Sequence, residues 1–326
     1  MWRLVVLGLW TLVGAAVAGE VVEISPRLEP GAVYEARIER RQELFVEDAW
    51  LPEGAARLSA TLEVVEARAD GYVLRWTVER ITTARREAQD AMLAEALTRL
   101  PEGLVLEVAV RPGEGLRLLN RDEVRAFLGA RLEGAVSRLR TALLERGFPE
   151  QAVGRVLDEL ASRMRANFSL PAEDFDRLQL RDLAPLFELA GARLESAAPL
   201  SRVEPRPFPQ AGRDLLPAQV EERLVETDAD RGLWVVERVE RPLEAPGKEA
   251  MLRRFPSLMG ELRRLPEPAR ERVIARLPEP ELLTRTRYSF ARGDGLPVLV
   301  HREDLAALGS LARRQVTTVE LAPQTP

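Results

Sequence analysis

The stretch LVLEVAVRPGEGLRLLNRDEVRAFL, Leu104–Leu128, decides how the chain is expected to fold. Apolar residues alternate with others up to Val110, which is the pattern of a strand with one face in water. Gly113 and Gly115 then form a tight turn into a second short strand, because glycine accepts the positive φ angles that such turns need. Asn120 is predicted to cap a helix that begins directly after it. This order predicts a hairpin of antiparallel strands followed by a helix.

A weaker copy of that stretch, LTRTRYSFARGDGLPVLVHREDLAAL, lies at 283–308 near the C-terminus. Further landmarks recur in the same order: the segment at 76–81 resembles the one at 234–239, and Ala-Met-Leu follows at 91–93 and at 250–252. Chance is the alternative explanation, because Val, Glu and Arg are common throughout the chain. We favour an internal duplication, which predicts two related ββαββ units.

The predicted fold class is α+β. Alternating strand patterns, rather than continuous apolar runs, favour antiparallel pairing, in one sheet or in two packed halves. We expect helices on one face of a curved, half-barrel-like sheet. A helix at Asp122–Arg146 carries an apolar stripe, and Gly147 and Pro149 end it before a second amphipathic helix at Glu150–Asn167. The two helices form a helical hairpin, 122–167, inserted after the first unit.

The remaining elements and the domain organisation follow from the same kinds of pattern. Strands are predicted at Val33–Val46, Leu58–Glu66, Tyr72–Ile81, Gln219–Glu226, Leu233–Arg241, Leu283–Ala291, Leu296–Val300 and Gln315–Leu321, and helices at Arg86–Leu100, Arg181–Ala190, Glu249–Leu265, Ala269–Leu277 and around Asp304. The predicted division is a signal peptide at 1–18, a first unit with the hairpin at 19–198, a proline-rich extended connector at 199–217, and a second unit at 218–326 that shares the first unit's sheet.

Residues 1–18 combine a basic start, an apolar run and a small-residue ending, the pattern of a secretory signal peptide cleaved before Gly19. An N-terminal membrane anchor is the alternative, but the apolar run is short and Glu20 follows it. Nearly all the basic residues are arginine, with Lys248 the single lysine, and Ala, Leu, Gly and Pro are abundant, as in proteins from GC-rich bacterial genomes. We therefore expect a bacterial protein in the periplasm or secreted, with no transmembrane segment after cleavage.

Composition excludes several classes of function. Cleavage removes one of the 47 basic residues, so 46 remain against 52 acidic ones and the formal net charge is −6, which gives no reason to expect nucleic acid as a partner. The chain has no cysteine, and so it has no disulfides, thiolate metal sites or cysteine nucleophiles. With His301 as the single histidine, the usual His/Cys metal sites cannot form, and we expect neither a metal nor a cofactor.

The sequence contains no recognisable catalytic motif. His301 falls at an expected helix start that matches Asn120, and no Gly-x-Ser-x-Gly elbow accompanies it, so we interpret it as a surface residue. Acidic groups at 43–48 and 173–176 supply carboxylates, but nothing singles out an acid pair. We expect a protein that is not an enzyme and assign no catalytic residue. An enzyme that uses two carboxylates is the third hypothesis.

Aromatic side chains on the predicted strands are the candidate ligand-binding residues. They are Tyr34, Tyr72, Trp76, Trp234, Tyr288 and Phe290. Such residues are most often core, yet a curved sheet whose aromatic face is only partly covered would hold a lipid or another apolar ligand. The leading hypothesis is therefore a periplasmic protein that binds a lipid-like ligand on this face. The alternative is an envelope scaffold or assembly protein that presents helices 122–167 to a protein partner.

Overall fold

Alternating apolar residues build thirteen strands in the part of the chain that the computed structural model describes. The described residues are 21–46, 48–85, 96–195, 199–208, 215–228, 232–245, 247–252, 255, 259–260, 262, 264–291 and 295–324. The predicted signal peptide at 1–18 and most of the helix predicted at Arg86–Leu100 lie outside these ranges, although residues 96–98 are helical.

The elements have the following bounds. The strands are β1 (Val21–Glu23), β2 (Val33–Val46), β3 (Ala49–Arg68), β4 (Gly71–Arg85), β5 (Val105–Arg111), β6 (Gly115–Leu118), β7 (Arg193–Glu195), β8 (Leu200–Pro207), β9 (Leu215–Asp228), β10 (Leu233–Pro242), β11 (Glu281–Ala291), β12 (Pro297–Leu308) and β13 (Leu311–Pro323). The helices are α1 (Arg121–Glu145), α2 (Glu150–Phe168), α3 (Ala172–Gln179), α4 (Lys248–Leu252) and α5 (Glu267–Arg276), with a 3₁₀ turn at Ala184–Leu186.

Eleven strands form one antiparallel sheet in the order β6-β5-β4-β3-β2-β13-β12-β11-β10-β9-β8. Each half of the chain contributes a meander of consecutive strands, and the pairing of β2 with β13 joins the two meanders. β1 and β7 form a separate two-stranded sheet. The predicted α+β class with an antiparallel sheet is confirmed, and the halves share one sheet. The descent of the halves from a duplicated ββαββ unit remains a prediction.

One face of the sheet is apolar and the other is in water, as the period-2 pattern predicts. In the first half, Ile38, Leu62, Trp76 and Val108 are buried on the inner face and belong to one core cluster. The outer face carries charged pairs such as Arg75 with Glu63, whose Nη1 and Oε2 atoms are 2.9 Å apart. The inner face is covered by residues 22–28, which we name the N-terminal lead, and by residues 175–194, which we name the inner segment.

Contacts of the N-terminal lead connect two strands that lie far apart in the sheet. Tyr72, near the start of β4, donates a hydrogen bond from its hydroxyl to the backbone oxygen of Pro26 at 2.5 Å. The adjacent Ser25 lies against Gly295, just before β12, where a Cβ atom would come within 2.3 Å of the Ser25 oxygen. Four inter-strand gaps separate β4 from β12, which is about 19 Å in a flat sheet. One dipeptide touches both places, which is compatible with a curved sheet.

The helical hairpin of α1 and α2 is confirmed. Gly147 ends α1 with a φ of 82°, and the Phe148 amide donates to the carbonyl oxygen of Leu143 at 3.2 Å, as in a Schellman cap. The predicted cap at Asn120 is wrong, because the Asn120 side chain makes no capping hydrogen bond to α1. Its Oδ1 instead accepts from the Glu107 amide at 2.9 Å, so Asn120 fastens the helix start to β5.

The predicted helix around Asp304 is wrong, because β12 continues through this region to Leu308. Asp304 faces the interior of the sheet and accepts a hydrogen bond from Thr284 at 2.7 Å, which satisfies a carboxylate that water cannot reach. His301 is therefore an exposed strand residue, with Nδ1 3.3 Å from Thr318 Oγ1. The helix predicted at Arg181–Ala190 is reduced to the 3₁₀ turn among ordinary turns.

Part of the predicted connector at 199–217 is a strand, β8, at one edge of the sheet. Pro205 lies opposite Pro217 of β9, and two prolines can face each other only in a pair that exchanges no N–H···O bonds. Pro205 and Pro207 therefore occupy positions whose amides would point to the open edge, where a missing N–H costs no ladder bond. Proline here is compatible with a strand because the strand is an edge strand.

Candidate functional site

The structure brings the six predicted aromatic residues onto one face. Trp76, Tyr288 and Phe290 are fully buried members of the main core. Tyr34, Tyr72 and Trp234 are half-buried and pack against the same core. The alternating pattern of the strands thus identified six residues that belong to, or pack against, one core cluster.

The chain's own residues cover this aromatic face. Leu183, Leu186, Phe187 and Leu189 of the inner segment are buried in the same core. The hydroxyl groups are engaged as well: Tyr288 donates to Glu188 Oε2 at 2.5 Å, as Tyr72 does to the N-terminal lead. A ligand at the aromatic face would have to displace the inner segment.

A group of buried and partly buried charged residues, the ionic layer, lies beside the aromatic core on the second half of the sheet. Its members are Glu188, Arg202, Glu204, Arg206, Glu222, Arg238, Glu240, Arg302 and Asp304. Arg238 is central and only 1% exposed. It donates to Glu222 at 3.0 Å, to Glu240 at 2.7 Å and to Glu204 at 2.9 Å. Charges in such a place must be paired, since leaving one alone costs several kcal/mol (about 3–5).

Sequence reasoning missed the ionic layer, although its pattern is present in the sequence. Charged residues recur at every second position in Arg202-x-Glu204-x-Arg206, in Arg238-x-Glu240 and in Arg302-x-Asp304. That spacing puts them on one face of a strand. Cross-strand register then aligns Glu222, Arg238, Thr286 and Arg302 in one row across four strands.

Electrostatics in the ionic layer keep Glu188 ionised. Burial opposes ionisation of its carboxyl, but the charges of Arg238, Arg206 and Arg302 outweigh burial and hold the pKa of Glu188 below its ordinary value. Burial, followed by the charge of Glu188, raises the pKa of Tyr288 well above its usual value. A carboxylic acid that donates protons near neutral pH needs a raised pKa, so Glu188 is unsuited to that role.

Several of the acidic residues noted in the sequence have structural partners. Glu43 pairs with Arg314, and Glu47 lies outside the described residues. Asp176 is buried and accepts from Arg121 Nε at 2.7 Å and Nη2 at 2.8 Å, and from the Leu118 amide at 3.1 Å. Within the described ranges, no three His, Asp or Glu side chains converge in a way that could hold a metal ion.

A cavity of about 340 Å³ lies between α1 and the turn before β5, and we name it the hairpin cavity. Its lining residues are Ala96, Arg99, Leu100, Glu102, Arg131, Arg138, Leu139 and Ala142. Leu100 and Leu139 are buried and give the cavity an apolar wall. Among the lining residues that the structure describes, the charged groups are three guanidinium groups and one carboxylate. Apolar walls with a few charged groups are typical of sites for small amphiphilic molecules.

Sequence reasoning missed the hairpin cavity too. Arg131 and Arg138 are seven residues apart in a predicted helix, which places them on one face. The sequence could have shown that pairing, but the opposing wall at 96–102 becomes its neighbour only through the packing of α1 along the sheet edge.

Comparisons with known proteins find little. No protein-family model and no curated protein sequence matches the chain. It is similar to a solved structure of lipovitellin that concerns lipid–protein interactions, with a TM-score of 0.40 and 9% identity over 92% of this chain; the match spans 26% of the lipovitellin chain. It also matches an outer membrane channel from Pseudomonas putida F1, with a TM-score of 0.20 and 7% identity, over 91% of this chain and 97% of that one. Likeness at this level does not identify a function. Among the described helices, none is long and apolar enough to cross a membrane.

Proposed function

We propose that this protein is an exported, non-enzymatic binder of a lipid-like ligand, and that the ligand occupies the hairpin cavity. The observation that carries the proposal is the cavity itself, which combines a buried apolar wall with guanidinium groups. The aromatic face was the site expected from sequence. Because the inner segment fills that face, the cavity is the better candidate.

The size of the hairpin cavity restricts the ligand. A volume of about 340 Å³ lies near the lower end of the range of about 300–1,000 Å³ for small-molecule sites. That volume favours one short alkyl chain over a diacyl lipid. The buried walls formed by Leu100 and Leu139 supply the apolar contact that would hold such a chain.

Filling the cavity tests the proposal. Ala142→Trp places an indole in the lining, whereas Thr141→Trp adds the same side chain at the exposed neighbouring position of α1. We expect native mass spectrometry and calorimetry to detect binding of ten-carbon amphiphiles, decanoate and decan-1-ol, to the native protein and to Thr141→Trp, and loss of binding in Ala142→Trp. The proposal fails if neither amphiphile binds the native protein or if both tryptophan variants behave alike.

A second candidate function is that of an envelope scaffold that presents the helical hairpin to a protein partner. The observation in its favour is the far end of the hairpin, where Phe148 is 53% exposed and Val156 is 55% exposed. Replacing both residues with serine should abolish cross-linking to an envelope protein while leaving decanoate binding unchanged. If cross-linking survives, this surface is not the partner site.

A further inference from the structure

We infer that the hairpin cavity selects an anionic head group, a carboxylate or a phosphate monoester, through Arg131 and Arg138. This inference rests on the proposed function and adds the chemistry that distinguishes one amphiphile from another. It goes beyond apolar binding because an alcohol of the same chain length fits the cavity equally well.

Charge is distributed unevenly between the cavity and the rest of the protein. The described lining carries Arg99, Arg131 and Arg138 against one carboxylate, Glu102. The chain as a whole has a formal net charge of −5. A local positive surplus in an acidic protein attracts anions to this place in particular.

Glu102 is already committed to other groups. Its Oε1 accepts from the Ile81 amide at 2.9 Å and from Arg99 Nε at 3.1 Å, and its Oε2 lies 3.2 Å from the same Arg99 nitrogen. Glu102 therefore neutralises Arg99 and fastens the turn to β4. It is not free to neutralise the two arginines of α1.

Arg131 and Arg138 have no carboxylate partner among the residues that the structure describes. Arg131 makes a long hydrogen bond of 3.4 Å to the carbonyl oxygen of Arg99, and its guanidinium carbon lies 5.9 Å from the centre of the Phe127 ring. Neither contact cancels its charge. Nearby Arg140, by contrast, pairs with Asp158 of α2 at 3.5 Å.

The helix geometry lets Arg131 and Arg138 act together. Seven residues of α-helix separate their backbones by about 10.5 Å along one side of α1. Between them lies Gly134, where a Cβ atom would come within 3.3 Å of Arg138 Nη1. The Arg138 side chain therefore runs back over Gly134, one turn toward Arg131. An oxyanion between them would receive charge-assisted hydrogen bonds, the strong kind, from both sides.

Comparison of head groups tests the inference on the full-length mature protein. The probes are decanoate, decyl phosphate and decan-1-ol, which share one chain length. We expect at least one of the two anions to bind about tenfold more tightly than the alcohol, the size of one charge-assisted hydrogen bond. The anion that binds more tightly identifies the head group. We also expect Arg131→Gln and Arg138→Gln each to remove about that factor for the anion and to leave the affinity for the alcohol unchanged.

The matched control is Arg140→Gln, which removes the same charge from the same helix outside the cavity and should change neither affinity. Circular dichroism establishes that all three variants keep the native helix content. If native protein binds the alcohol and both anions with equal affinity, the inference is overturned and the proposed function stands. The same holds if all three variants lose the same affinity for the anion. Failure of all three probes to bind would overturn both.

Discussion

At the scale of single residues, the inner face has two different chemistries. The first half buries aliphatic and aromatic side chains such as Leu62 and Trp76, whereas the second half buries Arg238 together with Glu222 and Glu240. An apolar pair tolerates substitution by another apolar residue of similar volume. A buried ion pair does not tolerate the loss of one member, because the other is left charged and without solvent.

Arg238→Met tests this difference. The change keeps an unbranched side chain but leaves Glu222 and Glu240 without their shared partner. We expect the free energy of unfolding, measured by urea titration, to fall by about 3–5 kcal/mol. Arg223→Met on the outer face removes an exposed ion pair with Glu237 and should cost less than about 1 kcal/mol. Equal losses in the two variants would contradict the assignment of the ionic layer as a buried network.

Glu188→Gln tests the electrostatic link between the inner segment and the sheet. Because neighbouring arginines lower the folded-state pKa of Glu188, its carboxylate stabilises the fold fully above the unfolded-state pKa of about 4.3. This contribution is lost as the pH falls from there toward the folded-state pKa. We expect the variant to lose about 2 kcal/mol at pH 7 and the difference from native protein to shrink below about pH 4 in pH-dependent unfolding measurements. A difference that grows on acidification would refute this account.

At the scale of elements, the structure explains which segments sequence patterns locate well. β4 and the helical hairpin were predicted because their periodicity agrees with their surroundings: Trp76 faces a core, and Gly147 ends a helix that Pro149 cannot continue. The strand predicted at Leu296–Val300 ends too early, because the run from His301 to Asp304 has the charge pattern of a helix start. β8 was missed because proline usually excludes a strand. Both errors arise where neighbouring strands, not local preference, decide the conformation.

Substitution of the edge prolines tests their role in β8. Pro205→Val and Pro207→Val together restore two amides that point to the open edge, and Val203 beside them is already 63% exposed. We expect the double variant to self-associate with increasing concentration in sedimentation velocity, because an open edge pairs with another edge. Pro149→Val, in the loop of the hairpin, is the control and should remain as native. Monomeric behaviour of the double variant would show that something else protects this edge.

At the scale of the whole molecule, the two halves are joined through β2 and β13, which pair from Ala312 with Phe45 to Pro323 with Tyr34. The antiparallel sheet could be expected from sequence, since the alternation of its strands was visible there. The hairpin cavity could not, because its walls come from positions more than thirty residues apart, for example Arg99 and Arg131. The two units predicted from sequence, 19–198 and 218–326, would unfold separately. The shared sheet instead predicts that both halves unfold in one cooperative transition.

Unfolding experiments distinguish these possibilities. Single-tryptophan variants that retain Trp76 or Trp234 report separately on the first and second halves. We expect coincident urea midpoints. Val319→Ala truncates a buried β13 side chain opposite Ile38, and we expect it to lower the free energy of unfolding by about 2 kcal/mol and to shift both midpoints together. Separate midpoints, or a shift confined to Trp234, would show that the halves unfold independently.

The β2–β13 pairing also determines when the sheet can finish folding during synthesis. A chain synthesised from its N-terminus makes β2 early and β13 last, and the side chains of Gln42 and Gln315, which meet across this seam, are 273 residues apart. Until β13 is made, one edge of β2 has no native neighbour, and closing so long a loop is slow. The nascent chain therefore exposes an unpaired strand edge during that interval, and such edges favour aggregation.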